Sequence, residues 1–527
     1  MPCPTMPTAK GGKPPISSVM PTSVKISPAL CTACGAAFAF YCLFPLYRRG
    51  FISIDALLVL IFVPVAALCL FRVLASLPLA GKDRQVFRLI RLIPLRATAF
   101  VAGLALGIGA GTKVQSTISF GIPEDTVIGV TGILLDDPRI VSGGRAMSTL
   151  SLKMAMGERG VRTSAHGEIT VFFMEESAER LKEFGRGAEV LAEGNLRAGK
   201  GGFEGSYVLG AETLHVTRPA PPLERFRTGL RLSLTRRFAA SSEDGAWGGM
   251  ALALLLGIRD NLDTGIASLY RNAGCSHILA LSGMHLAVLV AVISFLLKKP
   301  LGLRPAALVG AAIIVAYCFV VGPLPSLNRA ALMYLLGVLA VIGMLKRDAL
   351  SILCIAFVIQ LVITPQAGLS LSFILSYLAL AGILTVGELI NSFFKGQLPA
   401  FVLQPVAASV GAFIATAGVS AWFFNDLRPV GIIASLVLTP LTTLFMVGSM
   451  AWLGLDLALP SLSFLLGKPL SLLYWLMEKA ALAASYLPGI RANQYLIISL
   501  SLFSIAVLAW LEHRRSRIAG RLDPFPV

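Results

Sequence analysis

The chain is built mostly of long apolar runs of Leu, Ile, Val, Ala and Phe, each closed by a short basic or Gly/Pro-containing segment. Runs of about 20 residues are long enough to carry an α-helix across the hydrocarbon core of a bilayer. Three such spans are predicted first, near 28–46, 54–78 and 97–111. The pattern then changes to short alternating or β-branched segments: "TVIGVTGILLDDPRI", "MSTLSLKMAM", "GEITVFFME", "AEVLAEGNLR" and "GSYVLGAETLHVT". Turns containing Gly, Asp and Pro separate them, and "ESAERLKEFG" supplies one helical piece. This period of two predicts five or so strands, which suits a small β-barrel of the OB type. Next, "PPLERFRTGLRLSLTRRFAASS" (221–242) alternates basic and apolar residues at helical spacing, predicting a helix along the membrane surface. "GGMALALLLGIRDNLD" (248–263) is apolar but short for a crossing, which predicts a re-entrant segment. Nine further spans are predicted near 278–297, 305–322, 329–345, 349–364, 369–390, 400–420, 430–454, 469–487 and 494–511. The predicted fold is a polytopic α-helical membrane protein of about twelve spans with a small extracytoplasmic OB-like β-barrel insert.

Composition supports this class. The chain is 56% hydrophobic and 14% charged, whereas soluble domains are about a quarter charged. The net charge of +17 is unevenly spread. Residues 112–217 hold 14 acidic and 11 basic residues, and the rest of the chain holds 34 basic and 14 acidic. The linker "GKDRQVFRLIRLIPLR" (81–96), with Lys82, Arg84, Arg88, Arg91 and Arg96, reads as cytoplasmic. That assignment sends the insert to the outer face and "KKPLGLR", "LKRD" and "HRRSR" to the cytoplasm, with both termini inside. The expected layout is a disordered tail (1–27) without a signal-type apolar core, three spans (28–111), the OB-like insert (112–217) and an amphipathic or re-entrant segment (218–263). A membrane core (264–511) and a basic tail (512–527) complete it. None of the eight cysteines falls in the insert, and the Cys31/Cys34 pair opens an apolar helix without partner ligands. No cofactor or metal site is expected.

Ionisable residues at membrane depth are functional candidates by default. They concentrate in "LLLGIRDNLDTGIASLYRNAGCSHILALSGMHLAVL", which holds Arg259, Asp260, Asp263, Arg271, Asn272, His277, Ser282, Gly283 and His285. The chain has five histidines, and this stretch holds two of them. Ser282 and His285 are one turn apart and share a helical face. His277 and His285 stand about 12 Å and about 80° apart on a regular helix, too far to ligate one metal. A break at Ser282-Gly283 would require the freed backbone groups to line a cavity or lie buried in protein. Further polar patches are "VGPLPSLNRAALMYLLGVLA", with Ser326, Asn328 and Arg329, and "AGLSLSFILSYLALAGIL", with Ser370, Ser372, Ser376 and Tyr377. A fourth is the loop "WFFNDLRPVG", with Asp426 and Arg428. In the insert, Phe172, Phe173, Phe203 and Tyr207 are candidates for stacking on a single strand, although the segment is not basic. Each feature has a plainer reading. A Ser can bond its own helix, a Gly can permit close packing, a His pair can be satisfied between helices, and an Arg can snorkel.

These pieces together resemble the ComEC family, the inner-membrane channels of bacterial natural transformation. "LLLGIRDNL…LYRNAGCSHILALSGMHLAVL" is similar to the family's signature, "SLNRAALM" to its Arg-Ala element, and "GLSLSFILSYLALAGIL" to its Gln-Leu-Ser-Phe span, with Ser370 in place of the usual Gln. "FFNDLRPVGIIASLVLTPL" resembles its late loop, with Ala434-Ser435 where Ala-Asn is common, and residues 112–217 resemble its OB-like domain in place and pattern. The resemblance implies passage of single-stranded DNA through the membrane core along Arg259, Asp260, Arg271, His277, Ser282, Gly283, His285, Arg329 and Ser372. It also implies an extracytoplasmic DNA receptor, a cytoplasmic helicase or translocase and single-strand-binding proteins as partners, in the bacterial inner membrane. No His-x-His-x-Asp-His cluster and no Gly-x4-Gly-Lys-Ser/Thr loop is present, so neither a nuclease nor an ATPase activity is expected of this chain. Two other classes compete. One is an intramembrane hydrolase with Ser282 as nucleophile, His285 or His277 as base and Asp260 as orienting group, although no Gly-x-Ser-x-Gly surrounds Ser282. The other is a small-solute permease.

Overall fold

The computed structural model describes residues 27–45, 84–114, 118–141, 145–174, 184–198, 207–241, 246–345 and 348–490, with single positions 181, 495 and 499. The expected span near 54–78 and nearly all of that near 494–511 lie outside the described residues, as does Phe203.

Helix α1 (Pro28–Phe38) starts on the Ser27 side chain, continues through a π-helical segment, Ala39–Leu43, and packs on α2 (Arg84–Val114). The strands follow: β1 (Val127–Leu134), β2 (Arg139–Val141), β3 (Arg145–Gly157), β4 (Arg162–Ser164), β5 (Glu168–Met174), β6 (Glu189–Ala198) and β7 (Tyr207–Arg218). Five of them close on themselves. β1 pairs with β3, β3 with β5, β5 with β7, β7 with β6, and β6 again with β1, and every pairing is antiparallel except β5 with β7. The short β2 and β4 extend β3. Alternate residues enter an apolar interior that includes Val130, Leu150, Ile169, Val171, Val190 and Leu209, as the two-residue side-chain period of a strand requires.

Helices α3 (Pro222–Ala240) and α4 (Ala246–Leu256) pack against each other. The expected surface helix is α3, yet its Arg227, Thr228 and Phe238 are buried. α4 is apolar all round and every residue from Trp247 to Leu256 is buried, as befits a helix with no polar face. It packs against α3, α15 (Val430–Ala458) and α16 (Phe464–Ser485), where Phe238, Trp247 and Trp452 meet ring against ring.

Between them run α5 (Thr264–Asn272), α6 (Ser276–Leu279), α7 (Gly283–Leu301), α8 (Leu303–Val321), α9 (Pro325–Ile342), α10 (Ala349–Ile363), α11 (Pro365–Gly368), α12 (Leu371–Gly382), α13 (Glu388–Phe394) and α14 (Ala400–Phe424). A π-helical turn, Ile383–Gly387, joins α12 to α13 into one rod. Among the described residues six helices are long and apolar enough to cross a membrane: α7, α8, α9, the α12–α13 rod, α14 and α15. The expected spans near 28–46, 97–111, 349–364 and 469–487 fall on α1, α2, α10 and α16. The 15 residues of α10 and the 16 of Pro28–Leu43 are apolar but shorter than a full crossing.

The sheet is fastened to the helices by two arginines of α3. Arg227 is 1% exposed and grips the carboxylate of Asp137, which sits in the β1–β2 turn, through Nη1 at 3.0 Å and Nη2 at 2.6 Å. Its Nε donates to Phe319 O and its Nη2 to Val321 O, at the C-terminal end of α8. Arg231 donates to Val320 O, Val321 O and Leu256 O, so both cations cap helix carbonyls that carry the negative end of the macrodipole. Gly322, at φ 103°, leaves room for this approach, since a Cβ there would meet Arg227 Nη2 at 2.9 Å.

Candidate functional site: a polar corner between α7, α9 and α12

The Ser-Gly pair between the two histidines marks a break in the chain. The short α6 ends at Leu279, Ala280–Ser282 run extended, and α7 begins at Gly283. Ser282 is the N-cap: its Oγ accepts from Met284 N at 3.3 Å, and His285 Nδ1 folds back to accept the Ser282 amide at 3.1 Å. This is a capping box with His at the third helical position, where Glu or Gln is usual. Ser282 Oγ stands 3.0 Å from the same Nδ1. Because Nδ1 accepts a backbone N–H, the ring proton of neutral His285 sits on Nε2. That atom is fully buried.

The start of α9 lies against the start of α7. A Cβ on Gly283 would stand 2.9 Å from Arg329 Nη2 and 3.4 Å from Ala330 Cβ, so glycine is what allows the guanidinium to come this close. Arg329 is 7% exposed, although snorkelling would leave its head in water. Its Nη1 donates to Ser376 O on α12, and its guanidinium carbon lies 5.7 Å from the Tyr377 ring centroid. Tyr377 in turn donates to Gln360 Oε1 at 2.8 Å, and Gln360 Nε2 donates to Pro325 O at 3.2 Å, at the first turn of α9. Ser326 and Ser372 face each other at 3.2 Å, one turn before Arg329.

Ser282, Gly283, His285, Arg329 and Ser372 therefore belong to one region. Arg259 joins its margin by donating to Leu279 O at 2.9 Å. His277 and Arg271 are exposed, and Asp260 is half-buried. Arg428 pairs with Asp426 at 2.9 Å and donates to Asn272 O at 3.0 Å, which ties the 425–429 loop to the end of α5. Gln360 is the member that sequence reasoning missed. Its signal was available as the one amide in the otherwise apolar "ALSILCIAFVIQLVI", because an amide in such a helix needs a partner. In the insert, Phe173 is 3% exposed and packs in the sheet interior, while its neighbour Phe172 is half-buried on the other face. Tyr207 bonds Glu124 and meets Phe120 edge-on at 5.3 Å. Among the described residues no group of three or more His, Cys, Asp and Glu is placed to hold a metal ion.

Residues 254–515 match the family model described as Competence protein. An uncharacterized protein of Aquifex aeolicus (strain VF5) is 28% identical over 222 residues, 42% of this chain and 51% of that protein. ComE operon protein 3 of Bacillus subtilis (strain 168) is 30% identical over 138 residues, 24% of this chain and 17% of that protein. The chain thus spans about half, or less, of the length of these relatives. The break before α7, the Arg329 corner and the late helices all fall inside the matched region, and through it the chain belongs to the competence-protein family, of the ComEC type.

Proposed function

We propose that this membrane protein is an inner-membrane channel that passes single-stranded DNA into the cytoplasm during natural transformation. The observation that carries this reading is the Arg329 corner: a buried cation, a helix break and a linked set of neutral donors inside helices of spanning length. A polyanion moving through low dielectric needs donors along its way. It must also be able to leave, so a few cations among Ser, Tyr, Gln and neutral His suit conduction better than a dense basic lining. Arg259, Arg271 and His277, on the exposed approach, extend the route. We read the closed ring of strands, with its parallel β5–β7 pairing, as an OB-like barrel on the outer face, within a twelve-span architecture with both termini in the cytoplasm. An extracytoplasmic DNA receptor, a cytoplasmic helicase or translocase and single-strand-binding proteins are the partners this reading calls for.

The test is uptake of labelled linear DNA in a deletion strain complemented with wild type or with His277→Ala/His285→Ala. The deletion should lose uptake, and the double variant, at normal membrane levels, should fail to restore it. A deletion strain that still transforms normally while competent would end the channel reading.

One distance favours a hydrolase, the 3.0 Å between Ser282 Oγ and His285 Nδ1. The same atoms are already used in the helix cap, and the two roles separate experimentally. Ser282→Ala loses the cap, which costs about 1 kcal/mol, whereas Asn and Asp cap as well as Ser does. Ser282→Asn is therefore expected to keep wild-type uptake and thermal stability. A hydrolase would lose all turnover in Ser282→Asn and Ser282→Ala alike.

A further inference from the structure

The Arg329 corner is electrostatically incomplete. The guanidinium is more than nine-tenths buried, its Nε–H has no acceptor, and no carboxylate pairs with it among the described residues. It lies against the first residue of α7, the positive end of a 19-residue helix. Two positive features meet here, and a buried charge left without compensation is unfavourable. Tyr377 and Gln360 nevertheless hold the arrangement in place, with the ring beneath the guanidinium and the amide bound to the turn that carries it.

We infer that this corner is a binding site for one phosphodiester group of a nucleic-acid strand, taken by Arg329 at the start of α7. The inference rests on the channel reading and gives it a defined contact. The planar guanidinium fork matches two phosphate oxygens. Glycine at 283 lets Nη2 pack against the start of α7, and Nε–H, without an acceptor among the described residues, completes that edge of the fork. Ser326 and the exposed Ser372, one turn away, offer neutral hydroxyls on the approach. A lipid headgroup carries the same phosphodiester chemistry. The strand is favoured because the guanidinium faces the α7–α9–α12 junction, where α7 and α12 both contribute contacts.

The test uses full-length protein in phosphatidylcholine nanodiscs and a fluorescent oligothymidylate, with affinity followed against salt. For single strands each phosphate contact contributes about −0.7 to the slope of log K against log salt. Arg329→Gln is expected to lower the slope magnitude by about 0.7 and to weaken binding about tenfold, as loss of one charge-assisted hydrogen bond does. Gly283→Ala keeps the charge but places a methyl where Nη2 stands, against the end of a flexible side chain. It should weaken binding in the same direction in a protein that still folds. Equal slopes for wild type and both variants would overturn the site while leaving the channel reading intact, provided that wild type still restores uptake in cells. Unchanged slopes together with Arg329-dependent retention of anionic lipid would assign the corner to a headgroup and equally overturn it. If wild type bound no strand and the deletion strain transformed normally, the channel reading would fall first, taking the site with it.

Discussion

Arg329→Ala is expected to lower DNA uptake by about a hundredfold while the protein remains in the membrane at normal levels. Each charge-assisted hydrogen bond is worth about 1.5–3 kcal/mol, and every 1.4 kcal/mol is a factor of ten. Losing both donors of one fork therefore reaches the hundredfold range. The effect on folding should be small, because the substitution gives up the bond to Ser376 O but also removes a buried cation that has no counter-charge among the described residues. Arg329→Lys should fall between the two, since an ammonium offers a point charge and no fork. The measurement is internalised label and transformant number per cell, beside thermal unfolding of the purified variants. Normal uptake in Arg329→Ala would remove this residue from the route.

Asp137→Ala should loosen the insert from the helices. Arg227, 1% exposed, would keep its carbonyl partners Phe319 O and Val321 O but lose its charge-neutralising carboxylate, with Glu224 the nearest remaining one at 3.7 Å. Breaking a buried pair from one side costs about 3–5 kcal/mol. The lower end applies here because the Asp137 side chain is 27% exposed. Limited proteolysis of the insert should show the change, and Arg227→Met in the same chain should recover much of it. The pair also has a pH signature. Burial alone would raise the Asp137 pKa, but the hydrogen bond from Arg227 and the charges of Arg231 and Arg227 outweigh it and hold it below the usual carboxylate range. A carboxylate lowered in the folded state stabilises fully above its unfolded pKa of about 4, and that contribution is lost as pH falls through the folded value. Wild type should therefore release the insert on acidification below about pH 4, and Asp137→Ala should lack this component.

The sequence and the structure agree best where a single element decides the outcome. The apolar runs found the six described helices of spanning length, and the alternating segments found the five strands that close the ring, because helix and strand periods are local properties. The i, i+3 spacing of Ser282 and His285 correctly implied proximity. That the pair would cap a new helix was harder to see, since His stands where Glu or Gln normally completes the box. What escaped was tertiary. Gln360 acquires its meaning from Pro325 and Tyr377 on two other helices. The alternating basic and apolar residues of α3 suggested a helix along the membrane surface, but Arg227 is buried, with Asp137, ninety residues earlier, to neutralise it. Phe172 and Phe173 looked equivalent, although neighbours on a strand must point to opposite sides, so that one of them was bound to be lost to the interior.

The closed strand ring has a consequence for recruitment. An open sheet offers unpaired backbone groups to any extended chain, and many receptors attach by adding a strand there. Here β1, β3, β5, β6 and β7 consume one another's ladders all the way round. Among the described strands only the three-residue β2 and β4 lie outside that circuit. On the channel reading proposed above, a protein that hands DNA to this domain would have to grip side chains on its outer surface or loops. The docking determinants should then respond to surface charge substitutions, and β-strand peptides should not compete for them.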